Sequence, residues 1–197
     1  MRFSTISRVL HLCMIIAVLY QLLSSVWMMA PEPGKIVTMQ MMFFTLHVWL
    51  FGWAAFLVGS VYAMIKYRDR DEWERFFPWF SADRRKAFFR TVCTEVPGMF
   101  RGKLPPAESK SALSGAVHGF GIMLLIAQGL TGAYVMLDLA NYGERSLDIQ
   151  LFYKFHELFG ILAWTFLGGH IFVTLYHLAL GHTRVLDIFR RVNIAWK

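Results

Sequence analysis

Two histidines near the end of the chain, His156 and His170, have the spacing of residues that share one helix face. They lie fourteen residues apart, in or beside a long uncharged stretch. At about 100° per residue this separation is close to four helical turns, so both rings leave the same face, roughly 21 Å apart along the axis. Imidazole inside a bilayer is costly and usually functional. Two such rings on one stripe indicate a pair of haems, one above the other.

Four uncharged runs are long enough to carry such residues through a membrane. Only 17% of the 197 residues are charged, against about 25% in a typical soluble domain. Each run has at least the ~20 residues that a helix needs to cross the hydrocarbon core. We therefore predict an all-α, integral membrane four-helix bundle, a single domain over residues 1–197. Its helices are expected at about 4–29, 37–67, 111–138 and 151–180.

The basic residues are distributed unevenly about these helices. Seventeen of the twenty Lys and Arg residues lie before the first uncharged run, between the second and third runs, or after the fourth. An excess of this kind marks the cytoplasmic side. Both termini and the loop 68–110 are therefore predicted to be cytoplasmic. The net charge of +7 then reflects topology and contact with lipid headgroups, and no nucleic-acid partner is expected.

The long predicted loop mixes aromatic and charged residues, which is typical of a segment lying in the headgroup zone. Its aromatic residues are Trp73, Phe76, Phe77, Trp79 and Phe80. Ser81 is a candidate N-cap for a short basic helix over 82–95, which Pro97 and Gly98 are expected to end. Two interpretations stay open, namely an interfacial connector and a docking surface for a partner or lipid.

The depth of each histidine follows from the predicted direction of its helix. His47 lies in the outer half of the second helix, at the depth of His156. His11 lies near the cytoplasmic start of the first helix, at the depth of His170. A haem iron between two neutral imidazoles has both axial positions filled, which suits electron transfer, and helix bundles hold cofactors between facing side chains. The depths predict an outer His47/His156 pair and an inner His11/His170 pair.

Glycines near these histidines are candidates for giving a porphyrin room. Gly52 follows His47, and Gly160 is one turn past His156. Glycine is also common in membrane helices because it allows close packing. The chain has only Cys13 and Cys93 and no C-x-x-C-H motif, so haem attached covalently is excluded and any haem must be bound non-covalently.

These residues resemble the bacterial four-helix di-haem cytochrome b family. That family includes the formate dehydrogenase gamma subunit, the cytochrome b subunit of nickel–iron hydrogenases and stand-alone quinone-linked cytochromes b. The matching pieces are Ser7–His11, His47, His156–Gly160, His170 and the Leu130–Gly132 step. The resemblance implies two haems b, with His11 and His170 on the inner iron and His47 and His156 on the outer iron. His177, seven residues beyond His170, is a second candidate for the inner ligand.

A quinone site is expected at the cytoplasmic end. His118 lies about two turns into the third helix, and together with Ser114 and His177 it is a candidate to hydrogen-bond a quinone carbonyl. A structural role for His118, or contact with a haem propionate, is the alternative. The asparagine- and glycine-containing segment that precedes the third helix of the formate dehydrogenase gamma subunit has no counterpart here, because this stretch reads Pro105-Pro106-Ala107-Glu108-Ser109-Lys110-Ser111.

We therefore expect an electron-transfer subunit of a respiratory oxidoreductase complex in the bacterial inner membrane, which leaves the primary substrate to its partner. Electrons would pass between the quinone pool and an outer-face subunit carrying iron–sulfur or haem centres. A stand-alone quinone-reactive cytochrome b is the alternative within the same chemistry. A cofactor-free membrane anchor is the alternative from another class.

Overall fold

A computed structural model describes residues 5–30, 36–104, 111–142 and 147–189, with side chains left out for 138–149. All regular structure in these ranges is helical. The α-helices are α1 (Thr5–Trp27), α2 (Met39–Leu46), α3 (Trp53–Tyr67), α4 (Arg70–Phe76), α5 (Ala82–Met99), α6 (Ala112–Tyr142) and α7 (Leu147–Ala179). Four stretches are long and apolar enough to cross a membrane: Thr5–Trp27, Met39–Tyr67, Ala112–Leu137 and Gln150–Ala179. The predicted all-α integral membrane bundle is confirmed.

The membrane spans expose most of their apolar surface. Trp49, Leu57 and Phe172 are each more than half exposed, and none of the four spans has more than 22% of its most apolar window buried within the chain. In lipid, such surfaces need no protein partner, because a helix satisfies its backbone hydrogen bonds internally. The buried polar side chains on these spans are Ser24, His47 and Thr131.

The second membrane span is not one regular helix. Thr38 caps α2, its hydroxyl accepting a hydrogen bond from the backbone N–H of Met41. A π-helical segment, His47–Gly52, then separates α2 from α3. Such π turns break the i→i−4 hydrogen-bond ladder and occur frequently at functional sites. Here the irregular segment begins at a histidine that the sequence identifies as a candidate ligand.

The described part of the predicted loop 68–110, residues 68–104, contains two α-helices and a 3₁₀ turn, Pro78–Phe80. Asp69 caps α4, and its carboxylate accepts hydrogen bonds from the backbone N–H groups of Asp71 and Glu72. Ser81 is the N-cap residue of α5, as predicted, although its side chain makes no capping hydrogen bond.

The predicted end of α5 at Pro97 and Gly98 is wrong, because the helix continues to Met99 with Pro97 in its last turn. Gly102 ends it instead. This glycine has φ of +73°, and the N–H of Lys103 donates to the carbonyl of Gly98 at 2.8 Å. A left-handed glycine with this bond is the usual way in which a helix satisfies its last carbonyls.

The end of α7 is as predicted. Gly181 has φ of +83°, and the N–H of His182 donates to the carbonyl of His177 at 2.9 Å. Gly181 thus ends α7 in the same way that Gly102 ends α5, and the turn that follows places His182 beside His177.

The chain forms two compact units, and each takes segments from all four membrane spans. Unit 1 consists of Met1–His11, Ala63–Gly121 and Leu167–Lys197, and unit 2 of Leu12–Tyr62 and Ile122–Phe166. In unit 1 the buried apolar side chains include Phe76, Phe77 and Ala116, and in unit 2 they include Ala17, Leu22, Met41, Ala55 and Leu124.

Candidate functional site

His47 lies at the start of the π segment in unit 2 and is 7% exposed. Its Nδ1 lies 2.8 Å from Ser24 Oγ on α1. The amide of Gln21, one turn earlier on α1, donates to the His47 backbone carbonyl. A Cβ on Gly52 would stand 2.9 Å from that carbonyl oxygen. Glycine at position 52 therefore makes room for the protein's own π turn and for Gln21.

Ser24 connects the His47 ring to the backbone of α1. Its hydroxyl lies 3.2 Å from the carbonyl of Gln21 and 2.8 Å from His47 Nδ1. A hydrogen bond at the second ring nitrogen is characteristic of metal-ligating histidines, because it sets the orientation of the ring.

His156 on α7 is held at Nδ1 as well. Thr131 Oγ1, on α6, lies 3.1 Å from this nitrogen and donates its own proton to the carbonyl of Ala127 at 2.8 Å. The amide nitrogen of Gln128 donates to Nδ1 at 3.0 Å and to the His156 carbonyl at 2.9 Å, while its oxygen accepts from the Gly160 N–H at 3.0 Å. Both groups thus contact the His156 ring at Nδ1.

Two glycines allow this arrangement around His156. A Cβ on Gly132 would stand 3.0 Å from His156 Cε1, so a side chain there would fill the space that the imidazole occupies. A Cβ on Gly160 would stand 3.3 Å from the Gln128 amide. Gly160 therefore leaves room for the Gln128 amide, which hydrogen-bonds to the His156 backbone carbonyl.

His47 and His156 are close enough for their rings to interact electrostatically, and we call them the two-histidine cluster. Two imidazoles with engaged Nδ1 atoms are the donor set that a bis-histidine haem requires. The side-chain donors present in unit 2 thus fit this cofactor, whereas the space at Gly52 and Gly160, predicted to accommodate a porphyrin, is taken by protein atoms.

A second group, the three-histidine cluster, lies in unit 1 and consists of His11, His118 and His170. The rings of His118 and His170 meet edge to face, with centroids 5.3 Å apart and planes at 89°. His11 interacts electrostatically with both. Since rings in edge-to-face contact leave no room for a flat macrocycle between them, His118 and His170 are not placed to hold one haem from opposite sides.

His118 donates its Nδ1–H to the backbone carbonyl of Ser114 at 2.7 Å, since a carbonyl can only accept. This bond uses the main chain of Ser114 rather than its hydroxyl. Nε2 of His118 is left with its lone pair. This nitrogen can accept a proton or a hydrogen bond from a bound molecule.

The connector between the second and third spans packs directly against this cluster. The Phe76 ring lies 6.1 Å from His118, and backbone atoms of Arg75 and Phe76 occupy the places of Cβ atoms at Gly115 and Gly119 of α6. Lys66 Nζ and the Arg75 guanidinium each lie 4.9 Å from the Phe76 ring centroid. Glycines four residues apart thus let the connector backbone approach α6 closely.

A half-buried ion-pair triad accompanies this contact. Glu72 Oε2 accepts from Lys66 Nζ at 3.0 Å and from Arg75 Nη2 at 2.8 Å. Burial raises the pKa of Glu72, but the hydrogen bonds from Arg75 and Lys66 outweigh it and lower that pKa to about 2. The three-histidine cluster therefore has fixed charges of both signs nearby.

His177, the second candidate for the inner ligand, lies with a different residue. Its Nδ1 is 3.0 Å from Nδ1 of His182, in the turn that Gly181 produces. This contact favours His170 as the residue of α7 that belongs to the three-histidine cluster. Among the described residues no three His, Cys, Asp or Glu side chains converge as a metal site would require; a haem iron needs only two axial ligands from the protein.

Sequence reasoning missed the residues that hold the imidazoles. Ser24, Gln21 and Gln128 are ordinary polar residues in apolar segments, and their rarity there was the available signal. Thr131 and Gly132 were noted only as part of the family resemblance. The predicted segments at 105–110 and 143–146 lie outside the described residues.

Comparison with known proteins gives a family. A family model described as prokaryotic cytochrome b561 matches residues 2–190 of the chain. Curated proteins and solved structures gave no match. The match covers both histidine clusters and all four membrane spans. The chain therefore belongs to the prokaryotic cytochrome b561 family, and is a multi-pass bacterial membrane cytochrome b that binds haem b and transfers electrons.

Proposed function

We propose that this cytochrome carries two haems b, one held by His47 and His156 and the other by His11 and His170. The observation that carries the proposal is the division of the candidate ligands into two separate clusters, each within one compact unit. When bound, a haem with two imidazole ligands supplies a one-electron couple without an open axial position. The chain's residues orient the imidazoles and surround them with apolar helix.

The two haems serve electron transfer between the quinone pool and an outer-face redox subunit, which carries iron–sulfur or haem centres. The uneven distribution of basic residues supports an orientation with both termini and the connector at the cytoplasmic side of the inner membrane. In this orientation the His47/His156 haem faces the partner and the His11/His170 haem faces quinone. A stand-alone quinone-reactive cytochrome is the second candidate, because the family resemblance includes such proteins.

Quinone reacts beside the three-histidine cluster, with His118 as its hydrogen-bonding partner. Interconversion of a quinone and its quinol moves two electrons and two protons, so the site needs a group that exchanges protons as well as a nearby electron carrier. His118 has its Nδ1–H on the Ser114 carbonyl and Nε2 available. Its ring contact with His170 supports a position next to the electron carrier.

Haem stoichiometry tests the assignment. The full chain is purified in nanodiscs, and haem per chain is measured from the reduced-minus-oxidised spectrum. We expect two haems in the wild type and one in each of the His11→Ala, His47→Ala, His156→Ala and His170→Ala variants. His118→Ala is the matched control: it should keep both haems and slow electron exchange with a short-chain quinone by about tenfold or more.

Several outcomes contradict the proposal. One haem in the wild type refutes the di-haem arrangement. Loss of a haem in His118→Ala, with retention in His11→Ala, makes His118 the ligand instead. For the partner, the tagged chain is isolated from its native membranes at its natural level. A redox subunit should co-purify, whereas a chain that migrates alone and still exchanges electrons with quinone supports the stand-alone candidate.

A further inference from the structure

We propose that the ion-pair triad of Lys66, Glu72 and Arg75 raises the reduction potential of the haem at the three-histidine cluster. The inference rests on the proposed ligation of this haem by His11 and His170. The triad residues themselves are neither proposed ligands nor proposed quinone contacts. Their effect is electrostatic and acts through space on the bound haem.

The first observation is the charge of the triad. Glu72 Oε2 accepts from Lys66 Nζ at 3.0 Å and from Arg75 Nη2 at 2.8 Å. The carboxylate is ionised at neutral pH, because its pKa is about 2. Two positive charges thus share one negative charge, which leaves the three side chains with a net charge of +1.

The second observation is the position of these charges, which lie with the three-histidine cluster in unit 1. Lys66 Nζ and the Arg75 guanidinium carbon each lie 4.9 Å from the Phe76 ring centroid. That ring lies 6.1 Å from the ring of His118, which meets His170 edge to face at 5.3 Å. Both cations also interact electrostatically with His118. A continuous series of contacts therefore connects the triad to a proposed haem ligand.

The third observation is that the triad is partly withdrawn from water. The side chains of Lys66, Glu72 and Arg75 are 18%, 14% and 15% exposed. The Arg70 side chain, on the same connector, is 92% exposed. Salt and water screen a partly buried charge much less than an exposed one. The field of the triad therefore extends further into the protein than that of Arg70.

The consequence for the haem follows from Coulomb's law. Reduction adds one electron to the haem, so a nearby positive charge stabilises the reduced state and a negative charge destabilises it. The net charge of the triad should therefore raise the reduction potential. Loss of the carboxylate and loss of a cation should shift that potential in opposite directions. A triad that served packing alone would give no such reversal of sign.

The test measures the reduction potential of this haem by itself. The parent is the His47→Ala variant of the full chain in nanodiscs of zwitterionic lipid, which by the proposed function holds only the His11/His170 haem. Potentiometric titration at neutral pH is carried out on the parent and after the addition of one further substitution. The four substitutions are Glu72→Gln, Lys66→Gln, Lys66→Arg and Arg70→Ala.

We expect Glu72→Gln to raise the potential and Lys66→Gln to lower it. Each should change the ratio of ferrous to ferric haem at a fixed ambient potential by about threefold to tenfold, and a tenfold change corresponds to ~59 mV. Lys66→Arg keeps the charge and should match the parent. Arg70→Ala should shift the potential less than Glu72→Gln or Lys66→Gln, because the Arg70 charge is solvated.

Three results overturn the inference. They are unchanged potentials in Glu72→Gln and Lys66→Gln, shifts of the same sign in these two variants, and a shift in Arg70→Ala as large as theirs. Loss of the haem from both Glu72→Gln and Lys66→Gln also overturns it, because the triad is then required for binding rather than for the potential. If only one of the two loses haem, the sign of the shift in the other decides.

Haem content separates this inference from the proposed function. If His47→Ala keeps two haems or loses both, the proposed ligation is contradicted. The same charge substitutions are then made in the wild-type chain, where one of its haem potentials should move with the same two signs. If His47→Ala holds one haem and the signs do not reverse, the ligation stands and the inference fails.

Discussion

The two histidine clusters of this cytochrome differ in what holds their rings. In the two-histidine cluster, side-chain hydroxyls and an amide engage Nδ1 of both imidazoles. In the three-histidine cluster, His118 bonds to a main-chain carbonyl, and an ion-pair triad lies close by. Imidazole rings that are enclosed by neutral groups suit a site at which only electrons are transferred. Fixed charges and an available imidazole suit chemistry in which protons move as well.

The clusters also differ in what packs beside them. Next to His47 and His156 the close approaches are made by helix residues, with Gly52, Gly132 and Gly160 providing the space. Next to His118, the close approach is made by the connector backbone at Arg75 and Phe76. The integrity of one cluster therefore depends on helix packing, and that of the other on a segment outside the membrane spans. Substitutions that affect one cluster alone test this difference.

The largest effect is expected from Gly119→Ala. The new Cβ would overlap the backbone carbonyl of Phe76, and backbone moves less readily than a flexible side chain. We expect the connector to detach from α6, with loss of quinone-dependent activity and of the haem at His11 and His170. The haem at His47 and His156 should remain. Haem stoichiometry and the two potentials measure the outcome.

Gly168→Ala is the control for that substitution, because a Cβ at position 168 meets nothing within 4 Å. It should keep both haems and full activity. Equal behaviour of the two variants would show that the connector does not support the three-histidine cluster.

Gly132→Ala is expected to have a smaller effect, which falls on the two-histidine cluster and leaves the three-histidine cluster unchanged. Its Cβ would stand 3.0 Å from His156 Cε1, so the imidazole must shift by a few tenths of an ångström. We expect the reduction potential or the spectrum of the His47/His156 haem to change. Single-turnover electron exchange between quinone and the His11/His170 haem should be kept. A change confined to the His11/His170 haem would reverse the assignment of the clusters.

The ion-pair triad makes stability near the three-histidine cluster depend on pH. Because the pKa of Glu72 is about 2 in the folded chain and 4.5 is its ordinary value, its contribution is complete above pH 4.5 and is lost as pH falls toward 2. Glu72→Gln should remove that dependence and destabilise the neutral-pH protein by about 0.5–1 kcal/mol, the worth of a partly exposed pair. Thermal unfolding between pH 3 and 7 measures both effects.

Arg70→Ala is a suitable comparison, since Arg70 pairs with Glu74 while its own side chain is 92% exposed. It should change the pH profile less than Glu72→Gln does, because the Arg70 side chain is solvated. A Glu72→Gln profile that parallels the wild type from pH 3 to 7 would contradict the role of the triad.

The smallest effect is expected from His177→Ala. This ring pairs with His182, at the turn after α7, so its removal should leave both haems in place and alter only the local turn. The haem content of the purified variant measures whether both haems are kept. Loss of one haem in His177→Ala, with retention in His170→Ala, would move the ligand assignment to His177.

The sequence by itself determined the class of fold and the set of candidate ligands. An uncharged run of about 20 residues or more can cross a bilayer as a helix, because a helix satisfies its backbone hydrogen bonds internally. The described residues include four candidate spans at the predicted places. The turn at Gly181 was also predictable, because only glycine readily adopts the left-handed conformation required there. The family match over residues 2–190 agrees with the resemblance found at the histidines.

Tertiary structure alone decided which groups surround each histidine. Ser24 and His47, or Thr131 and His156, are more than twenty residues apart, and no period within one helix predicts contact with another. The end of α5 depended on Gly102 rather than on Pro97, since a proline in the last turn removes only one backbone hydrogen bond. Local patterns therefore fixed the helices and their candidate ligands, while packing between helices fixed the hydrogen bonds that orient the ligands.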